Sequence, residues 1–289
     1  MASTQDIYLE HFGLTQRPFS LVPDPEFLFW SRAHRGAFAM LEYGLVTRAP
    51  ITLITGEIGV GKTTLLQHFV AGLGEEISVG LIANARRGTS DLLRWVMPTL
   101  SQPVAPDESE VSLLNRFQDY LIEEYAQGRR VLLAIDEAQN LGLEALEELR
   151  MLTNINAGKD ELLQLVLVGQ PELRDTVRRP DMTQFAQRVA ANYHIPAMDG
   201  PTVLGYIAHR LTVAGGEPAL FSRQAADLVQ EATGGVPRLV NQLCDLAMTY
   251  AFSAGQRRVR RATVVQVIDD GVFFAGGGAV APRQAGKGQ

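Results

Sequence analysis

The sequence has little cysteine and no long apolar run, and both absences exclude classes of protein. A single cysteine, Cys244, excludes an internal disulfide framework, and its helical setting predicts a buried thiol. No apolar run approaches the roughly 18 residues of a membrane helix. Residues 1–6 lack the basic and apolar regions of a signal peptide. These three features together predict a cytoplasmic protein. The five histidines have no metal-ligand spacing, so we expect no structural metal.

An excess of positive charge is also absent. Acidic residues outnumber basic residues by 32 to 26, which gives a net charge of −6 and a pI near 5.5. This balance argues against bulk nucleic-acid binding and leaves only the possibility of a local basic stripe. Hydrophobic residues make up 46% of the 289 residues, which is typical of a folded protein with a substantial core.

One stretch matches the phosphate-binding pattern G-x-x-x-x-G-K-[ST] in full. An apolar, β-branched run at 51–55 precedes it, and a helical pattern at 65–73 follows it. A strand, a glycine-rich turn and a helix N-terminus form an anion site from backbone N–H groups. There we expect Lys62 to reach the β- and γ-phosphates of a nucleotide and the Thr63 hydroxyl to bind Mg²⁺. The alternative is an ordinary glycine-rich turn. The residues of the match and the one after it are Gly56, Glu57, Ile58, Gly59, Val60, Gly61, Lys62, Thr63 and Thr64.

Two adjacent acids end a second apolar run of strand length. Asp136 and Glu137 follow the run at 131–135, and the carboxyl ends of parallel strands are where ligands bind. We expect Asp136 to hold Mg²⁺, directly or through water. Glu137 is predicted to orient and polarise the attacking water. The alternative is an acidic pair that caps the helix predicted at 141–153.

A further predicted strand, at 162–168, ends in a polar residue. Gln170 at that tip is a candidate contact for the γ-phosphate or the catalytic water, and the alternative is a turn glutamine. We also expect an edge strand around 193–195 and a helix from Leu92 that Pro98 interrupts.

The organisation of the chain predicts an α/β fold in four parts. Residues 1–48 contain an aromatic, turn-rich strap and a helix from about Arg32 to Val46. The strap either packs on the core or also lies near the nucleotide base. Residues 49–198 predict a P-loop ATPase core, a parallel sheet with helices on both faces. Residues 199–272 predict a small all-helical lid, and 273–289 a disordered, glycine-rich tail.

With these motifs the sequence resembles an AAA+ ATPase. More narrowly, it resembles the AAA family typified by general secretion pathway protein A, which includes ATPases of exopolysaccharide export loci and the transposition regulator TniB. The resemblance implies a sensor-1 role for Gln170, an arginine finger at Arg188, and a sensor-2 role for Arg238 on the lid. The alternative for Arg188 is a surface salt bridge. The segments that carry the resemblance are 8–14, 17–19, 23–28, His34, 41–45, 136–139, 169–173 and 187–189.

The resemblance implies an ATP- and Mg²⁺-dependent hydrolase that assembles with itself into a ring or filament. An arginine finger acts on a neighbour's phosphoryl group, so a monomer would be an incomplete enzyme. The implied work is assembly or export of an envelope, secretion or exopolysaccharide component. Secretion-type members continue into a membrane helix and a cell-wall-binding region, whereas this sequence stops at 289. Envelope anchoring is therefore not carried over, and we expect no integral membrane segment. Peripheral attachment at the inner membrane is the alternative to a free cytoplasmic location.

Two other functions remain open. One is a DNA-binding regulator similar to TniB, whose ATP-bound oligomers coat duplex DNA. The other is a nucleotide-gated scaffold with negligible turnover, which Glu137 disfavours. The arginine pairs that favour DNA binding, and that otherwise are solvated turns, are Arg86-Arg87, Arg129-Arg130, Arg178-Arg179, Arg257-Arg258 and Arg260-Arg261.

Overall fold

The computed structural model describes residues 8–22, 24–83, 85, 92–157 and 160–274. The chain forms two compact units. Unit 1 consists of Met1–Ser31, Gly59–Gly61 and Ala197–Gln289, and unit 2 consists of Arg32–Ile58 and Lys62–Pro196. The predicted tail beyond residue 274 and the pair Arg86-Arg87 lie outside the described residues.

Unit 2 is built on a five-stranded parallel sheet. The strand order is β2-β3-β6-β1-β7, with helices on both sides, and the antiparallel pair β4-β5 lies outside this sheet. The central strands are apolar and buried, as strands covered on both faces must be. The strands are β1 (Ile51–Gly56), β2 (Ile77–Ile82), β3 (Arg130–Ile135), β4 (Asn156–Ala157), β5 (Asp160–Glu161), β6 (Leu163–Gly169) and β7 (Val189–Ile195).

The helices of unit 2 pack apolar faces on this sheet. Phe117 and Phe185 are fully buried in its core with strand residues such as Leu133. The predicted edge position is confirmed for β7. The predicted interruption at Pro98 is wrong, since that proline lies inside the helix Leu92–Thr99. The helices are α2 (Arg32–Val46), α3 (Lys62–Ala71), α4 (Leu92–Thr99), α5 (Glu110–Ala126), α6 (Leu143–Leu152), α7 (Pro171–Val177) and α8 (Thr183–Arg188).

Unit 1 is helical among the residues described. Its core combines aromatic side chains of the N-terminal strap, including Phe19 and Phe27, with apolar residues of the C-terminal helices. The guanidinium of Arg210 lies 4.3 Å from the centre of the Phe27 ring. Cys244 is fully buried, and burial raises the pKa of its thiol. The helices are α1 (Leu9–Phe12), α9 (Gly200–Val213), α10 (Arg223–Thr233), α11 (Pro237–Ser253) and α12 (Arg261–Asp269).

The N-terminal boundary differs from the one predicted. We expected residues 1–48 to form one part, but the structure divides this segment between Ser31 and Arg32. The side chains of the strap belong to the core of unit 1, whereas α2 belongs to unit 2 and packs closely on strand β1. A Cβ added at Gly44 of α2 would lie 2.1 Å from the Thr52 hydroxyl of β1.

Candidate nucleotide site

The predicted phosphate loop connects the end of β1 to the start of α3. Gly59 and Gly61 adopt left-handed backbone conformations, with φ of 82° and 97°, which favour glycine at both positions. Val60 is buried, whereas Glu57 and Ile58 are exposed. Thr64 follows Thr63 in the first turn of α3, whose N-terminal N–H groups carry partial positive charge. The local fold is therefore that of an anion-binding loop.

Lys62 is held inside its own loop. The ammonium group donates hydrogen bonds to the carbonyl oxygens of Gly56 at 2.7 Å and Glu57 at 2.9 Å. Burial lowers the pKa of Lys62, and the carboxylates of Glu137 and Asp136 act in the opposite direction. A buried cation with only carbonyl partners is suited to an anionic ligand.

Thr63 and Asp136 meet at the carboxyl edge of the sheet. The Thr63 hydroxyl donates to the Asp136 carboxylate at 2.6 Å, and the other carboxylate oxygen accepts the Glu137 N–H at 2.9 Å. Burial raises the pKa of Asp136, which is 2% exposed.

The chemistry of this pair fits Mg²⁺. The ion prefers oxygen ligands and takes one or two carboxylates together with the substrate's phosphates. The described residues contain no group of three or more His, Cys, Asp or Glu side chains that could hold a metal. A magnesium ion would therefore be held by Thr63, Asp136 and the nucleotide.

Glu137 lies at a backbone kink just after β3. Its φ is 55° and its ψ is 35°, a left-handed conformation that is uncommon outside glycine. Helix α6 begins only at Leu143 and has Gly142 as its N-cap, so Asp136 and Glu137 do not cap that helix. The capping alternative is thereby removed, and the Glu137 side chain is left for another task.

The structure brings Gln170 to Glu137. Gln170 follows β6 as the N-cap residue of α7, and its side chain makes no capping hydrogen bond to that helix. Instead its amide Nε2 donates to the Glu137 carboxylate at 3.3 Å.

Sequence reasoning missed two neighbours of this site. The Gln139 amide donates to the same Glu137 oxygen at 2.6 Å, although the sequence gives it no role beyond membership of a motif. His194 lies beside Thr55, with 3.1 Å between its Nδ1 and the Thr55 hydroxyl. Burial and the nearby Arg174 lower the pKa of His194. A polar residue at the end of β7 was the available signal for His194.

Arg188 lies at the opposite edge of the sheet from the phosphate loop. It ends α8 directly before β7, and β7 runs parallel to β1 from Val189 beside Ile51 to Ile195 beside Gly56. Seven strand residues span about 20 Å, so Arg188 does not reach Lys62 of its own chain. It pairs with Glu161 at 3.1 Å and also donates to Asn154.

Arg238 lies in unit 1, in the first turn of α11, and is exposed. Within that unit its backbone N–H donates to the Gly59 carbonyl at 3.2 Å. A Cβ at Gly59 would approach the Arg238 Cβ to 2.6 Å, which gives a second reason for glycine at this position.

Comparison with known proteins agrees with this geometry. A family model described as an AAA domain matches residues 46–177. Over these residues the chain is similar to an AAA domain. The predicted AAA resemblance and the fold class are confirmed.

The chain is similar to two curated proteins. It is 37% identical to General secretion pathway protein A of Aeromonas hydrophila over 253 residues, which are 88% of this chain and 46% of that protein. The chain thus spans less than half the length of this relative. It is 29% identical to the Mu-like prophage FluMu DNA transposition protein B of Haemophilus influenzae, with 87% of this chain and 80% of that protein covered.

Solved structures share the fold of this chain. The Aeropyrum pernix ORC2 protein, in ADPNP–ADP complexes, matches with a TM-score of 0.63 at 18% identity, over 89% of this chain and 72% of that chain. Drosophila ORC bound to DNA matches with a TM-score of 0.69 at 15% identity, over 95% of this chain and 68% of that chain. At these identities the likeness concerns the fold alone.

Proposed function

We propose that the chain binds Mg²⁺-ATP at the phosphate loop and hydrolyses it to ADP and phosphate. One observation carries this proposal. The Thr63–Asp136 pair, with its buried carboxylate, and the carboxylate of Glu137 lie at the carboxyl edge of the sheet beside the Lys62 ammonium. Phosphoryl transfer requires these parts together, since its catalysis is almost entirely positioning and electrostatic stabilisation.

Each residue has a separate task in this reaction. Lys62 exchanges its two carbonyl partners for the β- and γ-phosphates, and the loop N–H groups bind the same anion. When bound, Mg²⁺ neutralises the charge that develops on the phosphate oxygens. Glu137 accepts the proton of the attacking water at Oε1, because Oε2 already accepts two amide donors. In this proposal Gln170, which donates to the same carboxylate, contacts the water or the γ-phosphate.

The position of Arg188 supports action between subunits. A residue about 20 Å from its own loop cannot stabilise charge there. We therefore propose that Arg188 completes the site of a neighbouring copy in a ring or filament. In the single chain its guanidinium pairs with Glu161, and that pairing alone is what a surface salt bridge would give.

The proposed work of the cycle is assembly or export of an envelope, secretion or polysaccharide component. The similarity to General secretion pathway protein A supports it, over the 46% of that protein which the chain spans. The described residues include no helix with the length and apolar composition needed to cross a bilayer. A cytoplasmic location, free or peripheral at the inner membrane, belongs to the same proposal.

DNA binding is the second candidate, and a basic turn in unit 1 favours it. Arg257, Arg258, Arg260 and Arg261 are all exposed there. Arg258 pairs with Glu217, whereas Arg257 donates to a backbone carbonyl. The similarity to a DNA transposition protein also supports this candidate.

The other described arginine pairs give DNA binding less support. Arg129 and Arg179 each pair with a carboxylate close in sequence, and Arg130 donates to the Leu45 carbonyl. The salt dependence of DNA binding distinguishes DNA regulation from envelope assembly or export. If duplex DNA stimulates hydrolysis and its binding weakens steeply as salt rises, the second candidate gains.

The ATPase proposal is tested by separating binding from hydrolysis. Glu137→Gln keeps the side-chain volume but cannot act as a base, so it should bind a fluorescent ATP analogue normally. Its phosphate release should fall by about 10² to 10⁴. Lys62→Ala should lose most of its affinity, because its charge serves the phosphates. Glu123→Gln, an exposed site on α5, is the matched control and should behave as wild type.

Three results would contradict parts of this assignment. Normal hydrolysis by Glu137→Gln would move the catalytic carboxylate elsewhere. Wild-type affinity in Lys62→Ala would remove the phosphate-loop assignment. Binding without turnover in the wild type would favour the nucleotide-gated scaffold.

A further inference from the structure

Gln139 uses both ends of its amide to join two strand tips. Its Nε2 donates to the Glu137 carboxylate at 2.6 Å, and its Oε1 accepts the backbone N–H of Gln170 at 3.0 Å. Glu137 follows β3 and Gln170 follows β6, which are neighbours in the sheet. One half-buried side chain therefore connects the base and the polar residue of the proposed reaction.

The tip of β6 is shaped to admit this amide. Gly169 is buried, and a Cβ added there would lie 2.9 Å from the Gln139 Oε1 and 2.8 Å from a Leu173 methyl carbon. Such contacts are closer than real Cβ atoms make, so a larger residue would displace the glutamine. Gly169 also pairs with Thr55, the residue before the phosphate loop.

We propose that Gln139 is a positioning residue that fixes the orientation of the Glu137 carboxylate and couples it to Gln170. This inference rests on the proposed ATPase function. A free glutamate side chain populates many rotamers, and the amide restricts it to one direction while leaving Oε1 for the water. The same amide also accepts the backbone N–H of Gln170, so the positions of the Glu137 carboxylate and of Gln170 depend on each other.

Two substitutions of Gln139 test whether it orients the Glu137 carboxylate or only supports the fold. Gln139→Leu keeps similar volume and removes both hydrogen bonds. Gln139→Glu keeps an acceptor for the Gln170 N–H but replaces the donor with a carboxylate that repels Glu137. Misplacing a catalytic group by about 1 Å can cost 10²-fold in rate. We therefore expect turnover to fall about 10- to 100-fold in the leucine variant, and further in the glutamate variant.

Nucleotide affinity distinguishes a positioning role from a structural role. A residue that only supports the fold would lower affinity and turnover together, whereas a positioning residue lowers turnover alone. Both variants should bind the fluorescent ATP analogue within about threefold of wild type, since the amide contacts neither Lys62 nor Thr63 in the described structure. Gln184→Leu and Gln184→Glu make the same changes at an exposed position of α8 and should leave turnover unchanged.

A double-substitution cycle tests the coupling to Gln170. If both amides act on one carboxylate, Gln139→Leu and Gln170→Leu should together cost much less than the product of their separate effects. Wild-type turnover in Gln139→Leu, or equal losses of affinity and turnover, would overturn the positioning role. A fully multiplicative cycle would overturn the coupling. Absence of turnover in the wild type would instead remove the proposed ATPase function on which the inference rests.

Discussion

Replacing Asp136 by asparagine should stabilise the ligand-free protein while removing its response to Mg²⁺-ATP. Burial raises the pKa of this carboxyl, so the folded state binds the proton more tightly than the unfolded state does. The stability that the group contributes is present below its unfolded pKa of about 4 and is lost as pH rises through the folded pKa. At neutral pH the ionised carboxylate therefore costs stability in the free protein.

The expected magnitude follows from its contacts. An asparagine amide can still accept the Glu137 N–H through oxygen and donate to the Thr63 hydroxyl through nitrogen, so neither partner is left unpaired. What remains is the removal of an ionised carboxylate that is buried in the ligand-free protein. We expect a gain in the range of about 0.5 to 2 kcal/mol that single stabilising substitutions commonly give. A gain of about 1 kcal/mol corresponds to roughly 2–4 °C for a unit of this size.

In the presence of Mg²⁺-ATP the wild type should be more stable than the Asp136→Asn variant, the reverse of the order without ligand. At Mg²⁺-ATP concentrations one hundred times the dissociation constant, the wild type gains about 2.7 kcal/mol. The variant should gain little, because the substitution removes the carboxylate ligand of the ion. Thermal denaturation with and without Mg²⁺-ATP measures both differences. Repeating the ligand-free measurement toward pH 4 should shrink the advantage of the variant.

Asp119→Asn is the matched control for this experiment. Asp119 is exposed on α5, so the same change of charge there should alter stability by less than about 0.5 kcal/mol. A ligand-free Asp136→Asn protein that is less stable than wild type would refute the reasoning. It would mean that the charge of Lys62 outweighs the cost of burying the carboxylate.

Two other predictions concern Arg188 and the turn after α10. Arg188→Ala should bind ATP normally and hydrolyse it about 10³-fold more slowly, and mixing it with Lys62→Ala should restore phosphate release that neither variant has alone. Mixed oligomers that recover nothing would remove a finger acting between subunits. Gly235 has a φ of 75°, and an added Cβ would lie 1.8 Å from a backbone oxygen, so Gly235→Ala should destabilise unit 1 severely in denaturation experiments. Gly234, with a φ of 59° and nothing within 4 Å of an added Cβ, is its control, and Gly234→Ala should cost only about 1–2 kcal/mol. Equal effects at the two glycines would contradict the steric account.

The parts of the site that the sequence predicted are local in the chain. The phosphate loop and the acids after β3 follow directly from short apolar runs, because a buried parallel strand delivers its next residues to one edge of the sheet. Gln170 was predicted as a site residue by the same rule. The helix of Arg32–Val46 was predicted with the bounds that the structure gives it.

The parts that the sequence did not predict depend on which elements are neighbours. The contact of Gln139 with Gln170 requires β3 and β6 to be adjacent, although about 30 residues separate them in the chain. The assignment of the aromatic strap to unit 1 likewise rests on contacts such as that of Phe27 with Arg210. Pro98 shows a different limit, since the sequence predicted that this proline interrupts the helix and the structure includes it in the last turn of α4.

The placement of Arg188 at the far edge of the sheet has a consequence for the kinetics of the proposed assembly. If each finger serves the next subunit, an open row of n copies contains n − 1 complete sites and one incomplete site at its end. A closed ring has no end, so every site in it is complete. Specific activity should therefore rise with protein concentration as (n − 1)/n for a growing filament, and in a single step for a ring. A dilution series of the wild-type protein would then report the shape of the assembly.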